Sequence, residues 1–266
     1  MSVHANDLPG GLRWALKDSW NEATRHLRAV PRNMELLIFS TIQPVMFVVL
    51  FVYVFGGSIS VPGYANYKQF LLPGIFAQSV VFGSAFTGVG LADDLQKGFI
   101  DRLRSLPITQ ASVLIGRTIS DLCRNVLTFA VMFAVAYAVG FRIKGSVLEA
   151  ITATLLLLGF SYALSWVQAW FGLRAGSVEA ANSAGFIWMF PLTFVSSAFV
   201  DTRTMTPWLR RIADNNPFTI ATNAARALYS GNDVGDTVWQ TLAWIAGIII
   251  VFSVLSIRTF RKSASR

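Results

Sequence analysis

Long apolar runs separated by short polar intervals dominate this chain. Runs at 35–55, 69–92, 111–141, 147–173, 181–200 and 238–257 are each about the length an α-helix needs to cross a bilayer, so six spans are predicted. The third is the odd one. About 31 residues at 1.5 Å rise make roughly 46 Å, and its first half carries Arg117, Asp121 and Arg124. That helix is expected to start outside the hydrocarbon and enter it near Val126. Asp121, four residues after Arg117 and three before Arg124, then neutralises charge at the membrane edge.

Two polar stretches have helical patterns of their own. Leu12, Leu16, Trp20, Ala23, Leu27 and Val30 recur at steps of three and four with charged residues between them, which predicts an amphipathic helix ending at Pro31. Its Trp and Arg content suits a membrane interface on the cytoplasmic side, so residues 1–31 are read as an interfacial helix. Between the fifth and sixth runs, Thr206-Pro207 reads as an N-cap with Pro at the first helical position, predicting a helix at 207–214. Asn216-Pro217 breaks it, and 218–229 reads as a second short helix ended by Gly231. Residues 201–237 are thus two helices too short to span, either on the outer surface or dipping in as a re-entrant pair. The chain shows no internal repeat or long linker, so 1–266 is read as a single domain.

Composition agrees with this pattern. Of the 266 residues, 54% are hydrophobic and 14% charged, against about 25% charged in soluble domains, and mean hydropathy is +0.53. The fold class is therefore all-α integral membrane, with no room for a soluble catalytic domain. The net charge of +8 sorts by side: fifteen of the 22 Lys and Arg fall in one alternate set of loops and seven in the other. That bias places both termini in the cytoplasm. It is spread over too many segments for a nucleic-acid surface. No removable signal peptide is expected in the first 34 residues, which hold five cations and no short apolar core. Cys123 is the single cysteine and His4 and His26 the only histidines, which excludes a disulfide framework and leaves little for a metal site.

The catalytic motifs are missing. None of the fourteen acidic residues falls at the middle of a predicted span, which disfavours a proton-coupled carrier. There is no G-x-S-x-G, no H-E-x-x-H and no G-x-x-x-x-G-K-[ST], so no hydrolase site and no P-loop. Energy for any work must arrive from another chain. Amides do occur inside the spans, at Gln43, Gln78, Asn125, Gln168 and Asn182; each can line a substrate path or bridge helices. Ser79, Gly83 and Thr87, and likewise Ala130, Ala134 and Ala138, form small-residue rows that let helices approach closely.

The most informative polar segment lies between the second and third runs: DDLQKGFIDRLRSLP, residues 93–107. Its charges alternate in sign, Leu95, Phe99, Leu103 and Leu106 share a helical stripe, Pro107 stops it, and Thr109 can cap the next helix. Such a segment can lie along the membrane and offer its polar face to a cytoplasmic protein. Together with LPGIFAQSVVFGSAFTGVGLA before it, ITQASVLIGRTISDL after it and NNPFTIATNAARAL before the last run, it resembles the permease subunit of ABC-2 type exporters, most closely the daunorubicin/doxorubicin-resistance permease family. One departure is Asp94, where many such permeases carry Glu.

The resemblance implies a multi-pass protein of the bacterial cytoplasmic membrane that moves a lipophilic drug, antibiotic or lipid outwards. Its partners would be two copies of a cytoplasmic ATPase subunit, a second permease chain, identical or a sister, and membrane lipid. ATP and Mg would be bound by the ATPase, and no cofactor by this chain. Asp93, Asp94, Lys97, Gly98, Asp101, Arg102 and Arg104 match the helix that docks on the ATPase, and the loop with Arg174 and Glu179 a second, weaker contact. Pro207, Trp208, Asn216, Pro217 and Phe218 would form an external gate, and Gln43, Gln78, Asn125, Gln168 and Trp188 would line the pathway. An ABC-2 permease for a polysaccharide or lipid-linked glycan is the alternative, with Trp166, Trp170, Trp188 and Gln168 as an aromatic lining. A membrane scaffold without transport is the competing class.

Overall fold

The computed structural model describes residues 34–54, 66–98 and 110–262, with Gly56, Val61, Pro62 and Tyr64; the predicted interfacial helix at 1–31 lies outside them. Every described element is helical. In chain order they are α1 (Met34–Val49, continued by a π turn at Leu50–Val54), α2 (Tyr67–Gln96), α3 (Gln110–Ala138), α4 (Val147–Arg174) and α5 (Val178–Phe194). A 3-10 turn (Thr202–Thr204) follows, then α6 (Pro207–Asp214), α7 (Pro217–Ser230) and α8 (Thr237–Lys262). Four of these, α2, the 114–138 part of α3, α4 and α8, are long and apolar enough to cross a membrane. The helices alternate in direction. The ends at Gln96, Gln110, Arg174 and Val178 form the lower end of the bundle; those at Tyr67, Ala138, Val147 and Thr237 form the upper.

At the centre stands α2. Its apolar window is 72% buried, whereas that of α8 is 11% buried, so α2 is the core post and α8 a peripheral helix. Outward-facing Ile187, Val147, Trp239 and Ile250 are all more than 60% exposed, an arrangement stable only in an apolar solvent. Helices α2 and α4 meet backbone to backbone: a Cβ on Gly172 would lie 2.2 Å from the carbonyl oxygen of Gly88. Of the small-residue rows, Ser79, Gly83 and Thr87 are buried, with Gly83 against Asn125 and Thr87 against Asp121 of α3, whereas Ala130, Ala134 and Ala138 face outward.

Two boundaries differ from the hydropathy pattern. The predicted fifth span ran to 200, but α5 ends at Phe194. The reason lies 22 residues further on: the Asn216 side-chain amide donates to the carbonyls of Leu192 and Val195, both at 2.7 Å, and takes the place of the next helical turn. The stretch 195–199, buried from Ser196 on, then runs irregularly. At the second span, α2 runs on to Gln96, so Asp93 and Asp94 belong to its last turn; Lys97 and Gly98 form the turn that ends it, and 99–109 lie outside the described residues. In α3, Arg117, Asp121 and Arg124 are buried or partly buried inside the bundle.

The two short helices form where the Pro signals placed them, with α7 ending on left-handed Gly231 (φ 66°). Thr206 holds the N-cap position of α6 but its hydroxyl makes no capping bond. The pair divides in function. Helix α6 is exposed, with Trp208 67% accessible, while α7 is buried among α2, α4 and α8. The tight α2–α4 crossing has a measurable consequence. Gly172→Ala should destabilise the detergent-solubilised protein by about 1–3 kcal/mol as overpacking, read as a lower thermal midpoint. Gly176→Ala, where an added Cβ meets nothing within 4 Å, should leave it unchanged.

Candidate functional site

A cavity of about 540 Å³ lies between α1, α2, α3 and the start of α5. Each helix brings one amide to its wall: Gln43, Gln78, Asn125 and Asn182. Three of the five residues expected to line a path thus come together. The other two do not. Gln168 is buried on α4, its amide donating to the Met189 sulfur at 2.7 Å, and Trp188 stacks on Phe171 with ring centroids 6.4 Å apart. Phe47, Phe82, Phe86 and Phe186 bring aromatic rings to the wall, beside aliphatic side chains such as Ile42, Met46, Val89 and Val178. Asn125 is fixed by donating to the Ser161 hydroxyl at 2.8 Å, which in turn donates to the carbonyl of Val80.

One side of the cavity is charged. The Arg124 guanidinium lies on its wall, over the Phe86 ring at 4.5 Å, and donates to the Gly83 carbonyl at 3.1 Å. Its carboxylate partner is Asp121, at 3.0 Å. Asp121 also accepts from the Thr87 hydroxyl at 2.6 Å and faces Arg117 at 3.5 Å. Arg117 in turn reaches Asp94 at 3.2 Å, in the last turn of α2. Two carboxylates and two guanidinium groups therefore alternate from the lower end of α2 to the cavity wall and cancel in net charge. Burying such charges is tolerable only when each is paired and hydrogen-bonded. Room for them comes from α2: a Cβ at Gly90 would sit 1.5 Å from an Arg117 nitrogen.

The remaining docking residues divide among several places. Asp93 and Lys97 form an exposed ion pair at 2.7 Å, and that hydrogen bond holds the Lys97 amine above its ordinary pKa. Gly98 has the positive φ that turns the chain out of α2. Asp101, Arg102 and Arg104 lie outside the described residues. Arg174 ends α4 with its guanidinium over Trp170 at 5.0 Å. Glu179, expected beside it as a docking contact, is exposed in the first turn of α5 and also lines the cavity.

The upper end is tied together by a residue the sequence pattern gave no reason to single out. Arg226 of α7, counted as an external cation, is 2% exposed. It donates to the carbonyls of Phe70 and Ser197, both at 2.8 Å, and to Asn223 at 2.7 Å, with its guanidinium 3.8 Å from the Phe70 ring centre. The irregular stretch after α5 supplies one of these carbonyls, so the end of α5, the top of α2 and α7 are tied through one cation. Around it, Tyr67 donates to the Phe199 carbonyl at 2.8 Å, and Asn216, an expected gate residue, caps both α5 and α7. Phe218 is fully buried, Pro207 starts the exposed α6 and Pro217 starts α7. Nearby, the Arg203 guanidinium bonded to Asp201 holds its carboxyl below the usual carboxylate range.

The family model of the ABC-2 type transporter matches residues 21–229. The chain belongs to this family. Among similar proteins, the daunorubicin resistance ABC transporter permease protein DrrB1 of Streptomyces coeruleorubidus is 35% identical over 226 residues, covering 85% of this chain and 80% of its own. The probable doxorubicin resistance ABC transporter permease protein DrrC of Mycobacterium tuberculosis is 22% identical over 244 residues, covering 92% and 88%. The probable multidrug ABC transporter permease YbhR of Escherichia coli is 25% identical over 188 residues, 66% of this chain and 48% of its own. As an ABC-2 member with several bilayer-length apolar helices, the chain is a multi-pass membrane permease, the transport subunit of a system whose ATPase is a separate subunit.

Both charged centres can be probed by stability. Asp121→Asn leaves two buried guanidinium groups without their shared carboxylate and should cost about 3–5 kcal/mol, seen as a large fall in thermal midpoint. Arg226→Met should fall comparably, whereas Arg210→Met, which breaks the exposed 3.3 Å pair with Asp214, should change stability by about 1 kcal/mol or less.

Proposed function

We propose that this permease exports a lipophilic drug, antibiotic or lipid from a bacterial cell, and that the cavity between α1, α2, α3 and α5 is part of the cargo's path. The observation that carries this reading is the convergence of amides and aromatic rings on one drug-sized cavity. Its charged wall continues, ion pair by ion pair, to the segment expected to dock on the ATPase. Sites for drug-sized ligands usually have volumes of about 300–1,000 Å³ and a few placed polar groups on an apolar wall. The relatives' names point to drug resistance and multidrug transport. The glycan alternative loses support, because Gln168 and Trp188 are packed between helices and do not line this cavity.

In this reading α1 with its π turn and the 17-residue α5 complete six spans with both termini cytoplasmic. Two permease chains, identical or sister, pair with two ATPase subunits that carry the ATP and Mg. ATP closes the ATPase pair and moves the segment 93–107. Because Asp94 is joined to Arg124 through Arg117 and Asp121, movement of that segment shifts α3 and the cavity wall together. At the other end α6 and α7 close the outer mouth, with Arg226 holding the closed form. ATP shifts the population of conformations although it binds another chain.

The Asp101→Ala, Arg102→Ala double variant tests the assignment of the docking segment. It should insert normally and yet lose drug efflux and drug-stimulated ATPase activity in vesicles containing the whole complex. Unchanged efflux together with unchanged stimulation would sink it.

A further inference from the structure

A groove runs along the seam between α3 and α4, on the outward face of the bundle. It consists of two hollows of about 510 and 470 Å³ that share Phe133 and Thr154. Val126, Ala130, Ala134 and Tyr137 of α3 line the lower hollow, and Ile143 and Gly145 of the loop before α4 line the upper. From Val126 to Tyr137 is about 16 Å along the helix, close to half of the roughly 30 Å hydrocarbon thickness of a bilayer, so the groove is one leaflet deep. At its lower end the bond from Asn125 to Ser161 joins α3 to α4. Its interior asks for no polar partner, because the Thr154 hydroxyl is already bonded to the Ala150 carbonyl at 2.9 Å and the Tyr229 hydroxyl at 3.0 Å. The mouth is charged. The Arg142 guanidinium lies over the ring of Tyr137, 4.4 Å from its centre, and donates to the carbonyls of Tyr137 and Phe141 at 2.7 and 2.8 Å. Lys144 is exposed two residues on, and among the described residues neither cation is ion-paired. The neighbouring carboxylate, Glu149, is engaged in the cap of α4, where it accepts from the Ser146 N–H at 2.6 Å.

We propose that this groove holds an acyl chain of one anionic phospholipid, whose phosphate is met by Arg142 and Lys144. Lipid wets every outward face of a membrane protein, but this seam is concave, one leaflet long, and ends on a guanidinium that is fixed in place and unpaired. A cation already held by two carbonyls and a ring loses little freedom when a ligand arrives, and the planar fork of guanidinium donors suits phosphate oxygens. The apolar length below it suits a hydrocarbon chain. A helix of a second copy fits less well, since it would run the full thickness of the bilayer whereas the groove stops half-way, beside Asn125. The site lies apart from the cavity between α1, α2, α3 and α5, and does not depend on that cavity being the cargo's path.

The test uses phosphatidylcholine vesicles containing the permease in complex with its ATPase subunit, with a trace of phosphatidylglycerol whose acyl chain carries a photoreactive diazirine; labelled peptides are then mapped. Label should concentrate on 126–137 and 147–158, and unlabelled phosphatidylglycerol should displace it better than added phosphatidylcholine. Glycerol phosphate, which has the anion without the chains, should not displace it. Arg142→Gln should lower the preference for phosphatidylglycerol about fivefold, the worth of one cation near a lipid headgroup, and the Arg142→Gln, Lys144→Gln double variant should lower it further. Ala134→Phe fills the groove from the outward face and should cut the labelling of both segments; Ala130→Phe is the second filling variant, and thermal midpoints confirm folding. Label spread evenly over the outward faces, that of α8 included, or a lipid preference unchanged in both charge variants, would overturn the proposal. So would labelling indifferent to both filling variants, or displacement by glycerol phosphate. A wild-type groove free of label would overturn it as well, by showing that a protein chain covers the seam.

Discussion

The alternating charges Asp94, Arg117, Asp121 and Arg124 constrain the lower half of this permease. Four ionised groups are withdrawn from water between α2 and α3, and their desolvation is offset only while each faces its partner. That requirement fixes how α3 lies against α2. Thr87 adds its hydroxyl to Asp121, and Gly83 and Gly90 leave the space that Asn125 and Arg117 fill. Once α3 is fixed, Asn125 and Arg124 are on the cavity wall and the last turn of α2, with Asp94, is tied to the same unit.

The upper half solves a similar problem with different chemistry. Arg226 is buried among backbone carbonyls and an aromatic face, so dipoles replace counter-charges. Phe70 supplies its carbonyl from the first turn of α2, and Ser197 supplies one from irregular backbone. The early end of α5 provides it, and Asn216 from the start of α7 enforces that end. Non-helical backbone of this kind persists at depth only where protein covers it, as α7 does here.

Much of the architecture was readable from local patterns. Apolar run lengths located the long helices, and Thr206-Pro207, Asn216-Pro217 and Gly231 located α6 and α7 to within a residue or so. The burial of α7 was not readable, because it depends on contacts such as Arg226 with Phe70, 156 residues away. Hydropathy registers Arg226 as a charge and cannot register the carbonyls waiting for it. The same blindness extended the fifth span past Phe194. For the cavity, the amide residues were visible as unusual polar positions, but which of them converge depends on helix rotation: Gln78 and Asn125 turn inward together, while Gln168 turns towards Met189.

The central claim is that the ion pair between Asp94 and Arg117 transmits work between the docking segment and the cavity wall. Exchanging the two charges tests it most directly, by ATP-dependent daunorubicin uptake into inverted vesicles containing the complex. The account predicts that Asp94→Arg and Arg117→Asp each abolish uptake and that the double exchange restores a substantial part of it. Single variants that transport like the wild type would contradict the account, as would a stably folded double exchange no better than either single.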